Sequence, residues 1–149
     1  MPNLHIRWRL IGLIFLTVTI LGAILIASTP QGRTGVKAAL FVPQIVPAFS
    51  IKPQTWFTSD PIIERVEFPL PSGQGIADMY RPPGQGPYPG ILLFLGVAPA
   101  ASNDPRVVNL GGALARAGAV AMFYWSPVMI EKHIKPDTIN NLTAAFQYL

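Results

Sequence analysis

Few side chains in this sequence could act as a nucleophile or a base. There is no cysteine and there are two histidines, which excludes thiolate chemistry, a disulfide framework and a histidine-rich metal site. Ser126, His133 and Asp137 lie close together in sequence, and Ser102 lies in a polar loop after an apolar run. A catalytic serine needs a glycine-flanked turn that exposes its hydroxyl, and Ser126 has none. We therefore predict that these residues form no catalytic triad.

Other short patterns indicate structure rather than chemistry. Glu64 and Glu67 are three residues apart on a predicted strand, so they point to opposite faces and form no catalytic carboxylate pair. The Gly-Gln-Gly of residues 73–75 lacks the third glycine of a dinucleotide-binding turn. Asn141 begins an Asn-Leu-Thr glycosylation pattern, but it falls on a predicted helix. The sequence predicts neither a cofactor nor a metal ion.

Composition narrows the class of protein. Half of the 149 residues are hydrophobic and 12% are charged, which favours a membrane segment. The net charge of +4 comes from eleven Lys and Arg spread along the chain without a basic run. Nucleic-acid binding is therefore not expected.

The membrane segment is predicted at residues 10–27, a run of eighteen residues without a charge. As a helix it spans about 27 Å, close to the thickness of a bilayer core. Residues 1–9 carry Arg7, Trp8 and Arg9, which favours a cytoplasmic N-terminus and a globular part outside the cytoplasm. We expect an uncleaved, single-pass signal anchor in contact with the lipid bilayer. A cleaved signal peptide is the alternative, although the run is long and its cleavage sites are poor.

Residues 28–61 are predicted to be a Pro-rich linker. Prolines 43, 47, 53 and 61 are spaced too closely for a long helix, which indicates an extended tether. The apolar stretch of residues 38–46, together with Trp56 and Phe57, either contacts lipid or forms a strap that packs on the globular part.

Residues 62–149 alternate between strand and helix patterns. We predict a hairpin of residues 64–68 and 76–81, followed by buried strands at 91–95 and 119–125. Asp104 caps the helix between these strands, Pro105 begins it and Gly118 follows its end. A last helix starts near residue 136. Its predicted sheet-facing residues are Ile139, Leu142, Phe146 and Leu149.

The order of these elements resembles a known family. The hairpin, the loop RPPGQGPYPG, the strand ILLFLGV, the helix NDPRVVNLGGALARAG and the strand AVAMFYW are similar to the N-terminal half of an α/β-hydrolase. The resemblance covers residues 63–149 and is nearest to the dienelactone-hydrolase-like and related esterase branch. It implies serine-dependent ester hydrolysis, with an oxyanion-hole backbone N–H from Val97 or Ala98. Many members have a histidine before the glycine of that turn, whereas Leu95 precedes Gly96 here.

The predicted fold class is thus α/β, with a transmembrane helix, a linker and a partial α/β-hydrolase sheet made of a hairpin followed by β-α-β-α. The sequence contains no G-x-S-x-G nucleophile elbow. We expect a truncated, membrane-anchored hydrolase-like protein that is inactive alone. One alternative is a non-catalytic anchored module that presents a sheet edge to a partner or to a separately encoded second half. Another alternative is a small membrane protein whose similarity to half of a hydrolase domain is coincidental.

Overall fold

The computed structural model describes residues 3–94, 102–126 and 136–149, and their side chains from residue 11 onward except residue 27. The chain divides into two compact units, Met1–Ala39 and Leu40–Leu149. The boundaries predicted at residues 9, 27 and 61 stay predictions.

Two helices make up most of the first unit. Helix α1 covers Asn3–Ser28 and helix α2 covers Pro30–Ile45. Within the described residues, no single helix is both long and apolar enough to cross a membrane. The segments Ile11–Ile26 and Pro30–Ile45 reach that length and composition only as a pair, bent by 102°. The predicted helix over residues 10–27 is therefore present, but its role as a single-pass anchor has no support from the structure.

Helix α2 corrects the prediction of an extended tether. Residues 31–42 contain no proline, so twelve consecutive residues are free to form helical hydrogen bonds. Pro30 occupies the first turn, where a missing N–H costs nothing, and Thr29 Oγ1 accepts a hydrogen bond from the Gly32 N–H at 3.0 Å. Of the prolines that we expected to prevent a helix, Pro43 lies within the last turn of α2, and the other three follow its end.

The second unit contains a four-stranded sheet in the order β1-β2-β4-β3. Strands β1 (Ile62–Leu70) and β2 (Gly73–Arg81) form the predicted antiparallel hairpin. Strand β4 (Val120–Tyr124) pairs antiparallel with β2 and parallel with β3 (Gly90–Leu93). Within the described ranges β3 has one neighbouring strand, so its other edge carries no strand.

Helix α3 (Pro105–Arg116) connects β3 to β4. Its predicted ends are confirmed, since Asp104 accepts the Arg106 N–H at 2.8 Å and Gly118 has a φ of 94°, which a glycine adopts without strain. A Cβ on Gly111 would lie 2.6 Å from the Tyr80 ring. Gly111 therefore lets the helix approach the sheet closely enough to cover Tyr80.

The sheet buries both faces. On one face Phe68, Met122 and Tyr124 pack against Ala145 of helix α4 (Thr138–Tyr148). On the other face Tyr80 and Phe123 pack against residues of α3. The largest fully buried side chains are Tyr80, Phe68, Phe123 and Met122. Each contributes roughly 1.5–3 kcal/mol to folding, so these two clusters hold the unit together.

The face of α4 that packs on the sheet agrees with our prediction in part. Leu142 and Leu149 pack against the core as predicted, whereas Ile139 and Phe146 are 73% and 63% exposed. The buried residues of the helix are Thr138, Asn141 and Ala145, and Asn141 Nδ2 donates to Ser72 Oγ at 2.8 Å. Asn141 is 6% exposed, and among the described residues its Nδ2 has a partner while its Oδ1 has none. A buried asparagine on a helix agrees with a chance match to the glycosylation pattern.

Candidate functional site

The carboxyl ends of the parallel strands β3 and β4 define the candidate site. In open α/β sheets ligands bind at this edge, because the loops that leave the strands meet there. Phe94 follows β3 and is 45% exposed, and Ser126 follows β4 and is 6% exposed. Asp104 at the start of α3 belongs to the same edge, since the β3–α3–β4 connection leaves the sheet there.

The predicted oxyanion-hole residues, Val97 and Ala98, lie outside the described residues, and so does His133. Ser102 is partly buried ahead of α3, and Asp137 is exposed at the start of α4. Within the described ranges no hydrogen bond joins Ser126 to Ser102 or to Asp137. Among the described residues, neither Ser126 nor Ser102 is therefore hydrogen-bonded to a carboxylate.

A buried carboxylate that we did not single out from the sequence lies beside this edge. Asp78 on β2 is 6% exposed and stands directly opposite Arg65 on β1. Arg65 Nε donates to Asp78 Oδ1 at 2.8 Å, and Arg65 Nη2 donates to Oδ2 at 3.1 Å. Trp125 Nε1 donates to the same Oδ2 at 2.7 Å. One carboxylate thus binds side chains from β1 and from the residue that follows β4.

The electrostatics of this group indicate a fixed ion pair. The hydrogen bond and charge of Asp78 raise the pKa of Arg65 above its ordinary value. Burial raises the pKa of the Tyr80 phenol, and the charge of Asp78 adds to that increase. A carboxylate that accepts a bidentate arginine and an indole N–H is poorly suited to act as a general base. Asp78 instead fixes the position of the Trp125 side chain, and Trp125 directly precedes Ser126.

A signal for this group is present in the sequence. Ile76, Asp78 and Tyr80 alternate on one face of β2, so the aspartate takes a position that the pattern reserves for an apolar side chain. A charge at such a position needs a partner. The partner becomes visible only when the hairpin register places Arg65 opposite Asp78.

The start of α3 carries a second charged pair. Asp104 Oδ1 accepts from Arg106 Nε at 3.0 Å, and Asp104 Oδ2 accepts from Arg106 Nη2 at 2.7 Å. Its hydrogen bonds to the Arg106 side chain and backbone lower the pKa of Asp104 to about 2. In the described part of the chain, no three His, Asp or Glu side chains lie close enough to hold a metal ion.

Solved structures with the same arrangement of strands and helices are esterases. Est22 bound to p-nitrophenol shares 16% identity, with a TM-score of 0.51 over 85% of this chain and 39% of Est22. A second Est22 structure gives a TM-score of 0.51 over 85% of this chain and 40% of Est22. Brefeldin A esterase, a bacterial homologue of human hormone-sensitive lipase, shares 18% identity, with a TM-score of 0.49 over 87% of this chain and 35% of its own. No protein family pattern and no curated protein sequence matches the chain.

The two Est22 structures define the fold class. The described sheet and helices have the fold of part of an α/β-hydrolase, as the sequence resemblance predicted. The chain spans about two-fifths of the length of Est22. The similarities do not distinguish between branches of this fold, so the dienelactone-hydrolase-like branch belongs to the proposed function.

Proposed function

We propose that this chain supplies the first half of a membrane-anchored, esterase-like α/β-hydrolase and does not hydrolyse esters by itself. The observation that carries the proposal is the β3–α3–β4 unit, with parallel strands whose carboxyl ends meet at one edge. In this fold that edge bears the reaction. The reaction class is serine-dependent hydrolysis of carboxylic esters, and the sequence pattern resembles the dienelactone-hydrolase-like and related esterase branch.

The contribution of this chain to such a reaction is the oxyanion hole and its support. A backbone N–H of Val97 or Ala98, directly after β3, would bind the negative oxygen of the tetrahedral intermediate. Asp78 and Trp125 would fix the neighbouring strand end. The nucleophile would come from a G-x-S-x-G elbow, which these 149 residues lack.

The open edge of β3 is the proposed joint with the remaining part of the fold. An unpaired strand edge presents free N–H and C=O groups that another strand can bind. A separately encoded second half and a non-catalytic partner would use the same edge. We therefore keep a partner-binding module as the alternative function, because it depends on the same observation.

Anchoring by residues 10–27 is part of the proposal. It is supported by the uncharged run of eighteen residues, whose large apolar side chains recur on every side of a helix. A helix that is apolar all round is typical of a buried or membrane-spanning helix.

Hydrolysis of p-nitrophenyl acetate tests the catalytic part. The full chain alone is expected to give no rate above buffer. Addition of the elbow-bearing half of a related esterase is expected to produce activity that depends on the serine of the added half. That activity should survive Ser126→Ala and Ser102→Ala in this chain. Turnover by the chain alone that is lost on either substitution would contradict the proposal, whereas binding of the added half without turnover would favour the partner-binding alternative.

A further inference from the structure

Strand β2 lies outside the β3–α3–β4 unit but contacts it on one face of the sheet. Asp78 and Tyr80 are two residues apart on β2, so their side chains point to the same face. Tyr80 packs there against residues of α3. The antiparallel register places Asp78 opposite Phe123, near the carboxyl end of β4, and Tyr80 opposite Ala121. Of the two side chains, Asp78 therefore lies nearer to the candidate site.

The contact nearer to the site passes through Trp125. Its backbone N–H donates to the Ile76 carbonyl oxygen at 3.0 Å, and its Nε1 donates to Asp78 Oδ2 at 2.7 Å. Arg65 restrains the same carboxylate from β1 through two charge-assisted hydrogen bonds. Trp125 is therefore fixed both at its backbone and at its indole ring, and both contacts are made by β2.

The fixed indole packs against the same apolar cluster as the start of α3. That cluster contains Val107, which lies in the first turn of the helix and is 3% exposed. Farther along the helix, Gly111 approaches the Tyr80 ring so closely that a Cβ would lie 2.6 Å from it. Because such interiors are close-packed, α3 cannot shift on the sheet without displacing these side chains. Trp125 thus helps to set the position of the end of α3 that receives the chain from β3.

The ends of β3 and β4 lie level with each other. Leu93 pairs with Phe123 in the parallel register, so Phe94 comes next to Tyr124 at the carboxyl edge. Ser126 is only 6% exposed although it lies two residues beyond the end of β4. The chain directly after Trp125 is therefore still packed against the unit, and a movement of the indole would displace it together with the start of α3.

We propose that Asp78 is a positioning residue for the reaction and that it acts through Trp125. The inference rests on the proposed function, because the edge that Trp125 fixes is the one that would bind the ester. Asp78 itself would touch neither the substrate nor the reacting atoms. A misplacement of about 1 Å at a reacting centre can lower a rate about a hundredfold. Loss of the contact should therefore reduce kcat and leave KM nearly unchanged.

Trp125→Phe tests the contact in the full chain in mild detergent, since it keeps an aromatic ring and removes the Nε1–H. The chain has no native cysteine, so Ser126→Cys adds a single buried thiol at the edge. With a water-soluble disulfide reagent, we expect Trp125→Phe to make this thiol react at least about tenfold faster, equivalent to about 1.4 kcal/mol. Asp78→Asn should have the same effect. Trp56→Phe, at a 67% exposed indole, is the matched control and should have none.

A second thiol separates movement of the edge from loss of global stability. Thr138 lies on α4, against the other face of the sheet, and is 7% exposed. The thiol of Thr138→Cys should react at the same rate with and without Trp125→Phe. If it accelerates as much as the thiol of Ser126→Cys, the substitution loosens the whole unit and the positioning role is wrong. It is also wrong if the thiol of Ser126→Cys does not accelerate.

The catalytic part is measured on this chain complemented with the elbow-bearing half of a related esterase. Trp125→Phe and Asp78→Asn should lower kcat for p-nitrophenyl acetate about tenfold to a hundredfold and change KM less than about twofold, whereas Trp56→Phe should change neither. An unchanged kcat, or a KM that rises as much as kcat falls, would overturn the positioning role while the proposed function stands. No activity with the parent chain would refute the proposed function and the catalytic role of Asp78 with it.

Discussion

Asp78 joins three strands through a single carboxylate, since Arg65 comes from β1 and Trp125 follows β4. We expect Asp78→Asn to lower the free energy of unfolding by about 1–3 kcal/mol, because it removes the charge of a buried carboxylate that accepts hydrogen bonds from Arg65 and Trp125. Glu64→Gln is the control, since Glu64 pairs with Arg81 at the surface and such pairs contribute little. Urea unfolding of the full chain in mild detergent measures both. Equal losses would show that Asp78 is no more important than a surface carboxylate.

Asp104 gives a prediction about pH. Its pKa is lowered from the ordinary 3.8 to about 2 in the folded chain. The resulting stabilisation is complete above about pH 4 and is lost as the pH falls through about 2, because the unfolded state takes up the proton first.

Asp104→Asn keeps an oxygen that can cap α3 but removes the charge that binds Arg106. The thermal midpoints of the parent and of Asp104→Asn should differ at pH 7 and converge as the pH approaches 2. A difference that does not change with pH would mean that the charge of Asp104 contributes nothing to stability.

At the scale of elements, two adjacent glycines of α3 differ in how close they lie to the sheet. A Cβ at Gly111 would overlap the Tyr80 ring, whereas a Cβ at Gly112 would meet no atom within 4 Å. Gly111→Ala is expected to destabilise the chain by about 1–3 kcal/mol, the usual cost of overpacking. Gly112→Ala should stabilise it by up to about 1 kcal/mol, because alanine favours a helix. Opposite signs in urea unfolding confirm the packing, and equal signs would contradict it.

Elements with local signals could be predicted from the sequence. The hairpin, both parallel strands, the Asp104 cap and Gly118 follow from alternation, apolar runs and cap chemistry within a few residues. The inward face of α4 could be predicted only in part: the apolar spacing gave Leu142 and Leu149, but not Asn141, whose partner Ser72 is sixty-nine residues away. The role of Asp78 could not be predicted for a similar reason, because its partners are determined by the strand register and by the position of Trp125 after β4.

At the scale of the whole molecule, the proposed anchor predicts that the protein stays with membranes after washing with alkaline carbonate. Leu16→Arg together with Leu21→Arg should release it, since each charge at the centre of the bilayer costs about 2.5–3.5 kcal/mol on insertion scales. Replacing Ile139 and Phe146 by arginine is the control, because both are exposed on the second unit. Recovery of the unmodified protein in the soluble fraction would exclude anchoring.

Because Trp125 Nε1 donates to Asp78, the rate at which its indole proton exchanges with solvent also measures local opening. That proton is held by a carboxylate that is 6% exposed, so it can exchange with deuterium only when the junction of β1, β2 and β4 separates. Trp56, which is 67% exposed, gives a fast reference signal within the same chain. The ratio of the two exchange rates would therefore report, without any label, how often the strand end beside Ser126 comes free.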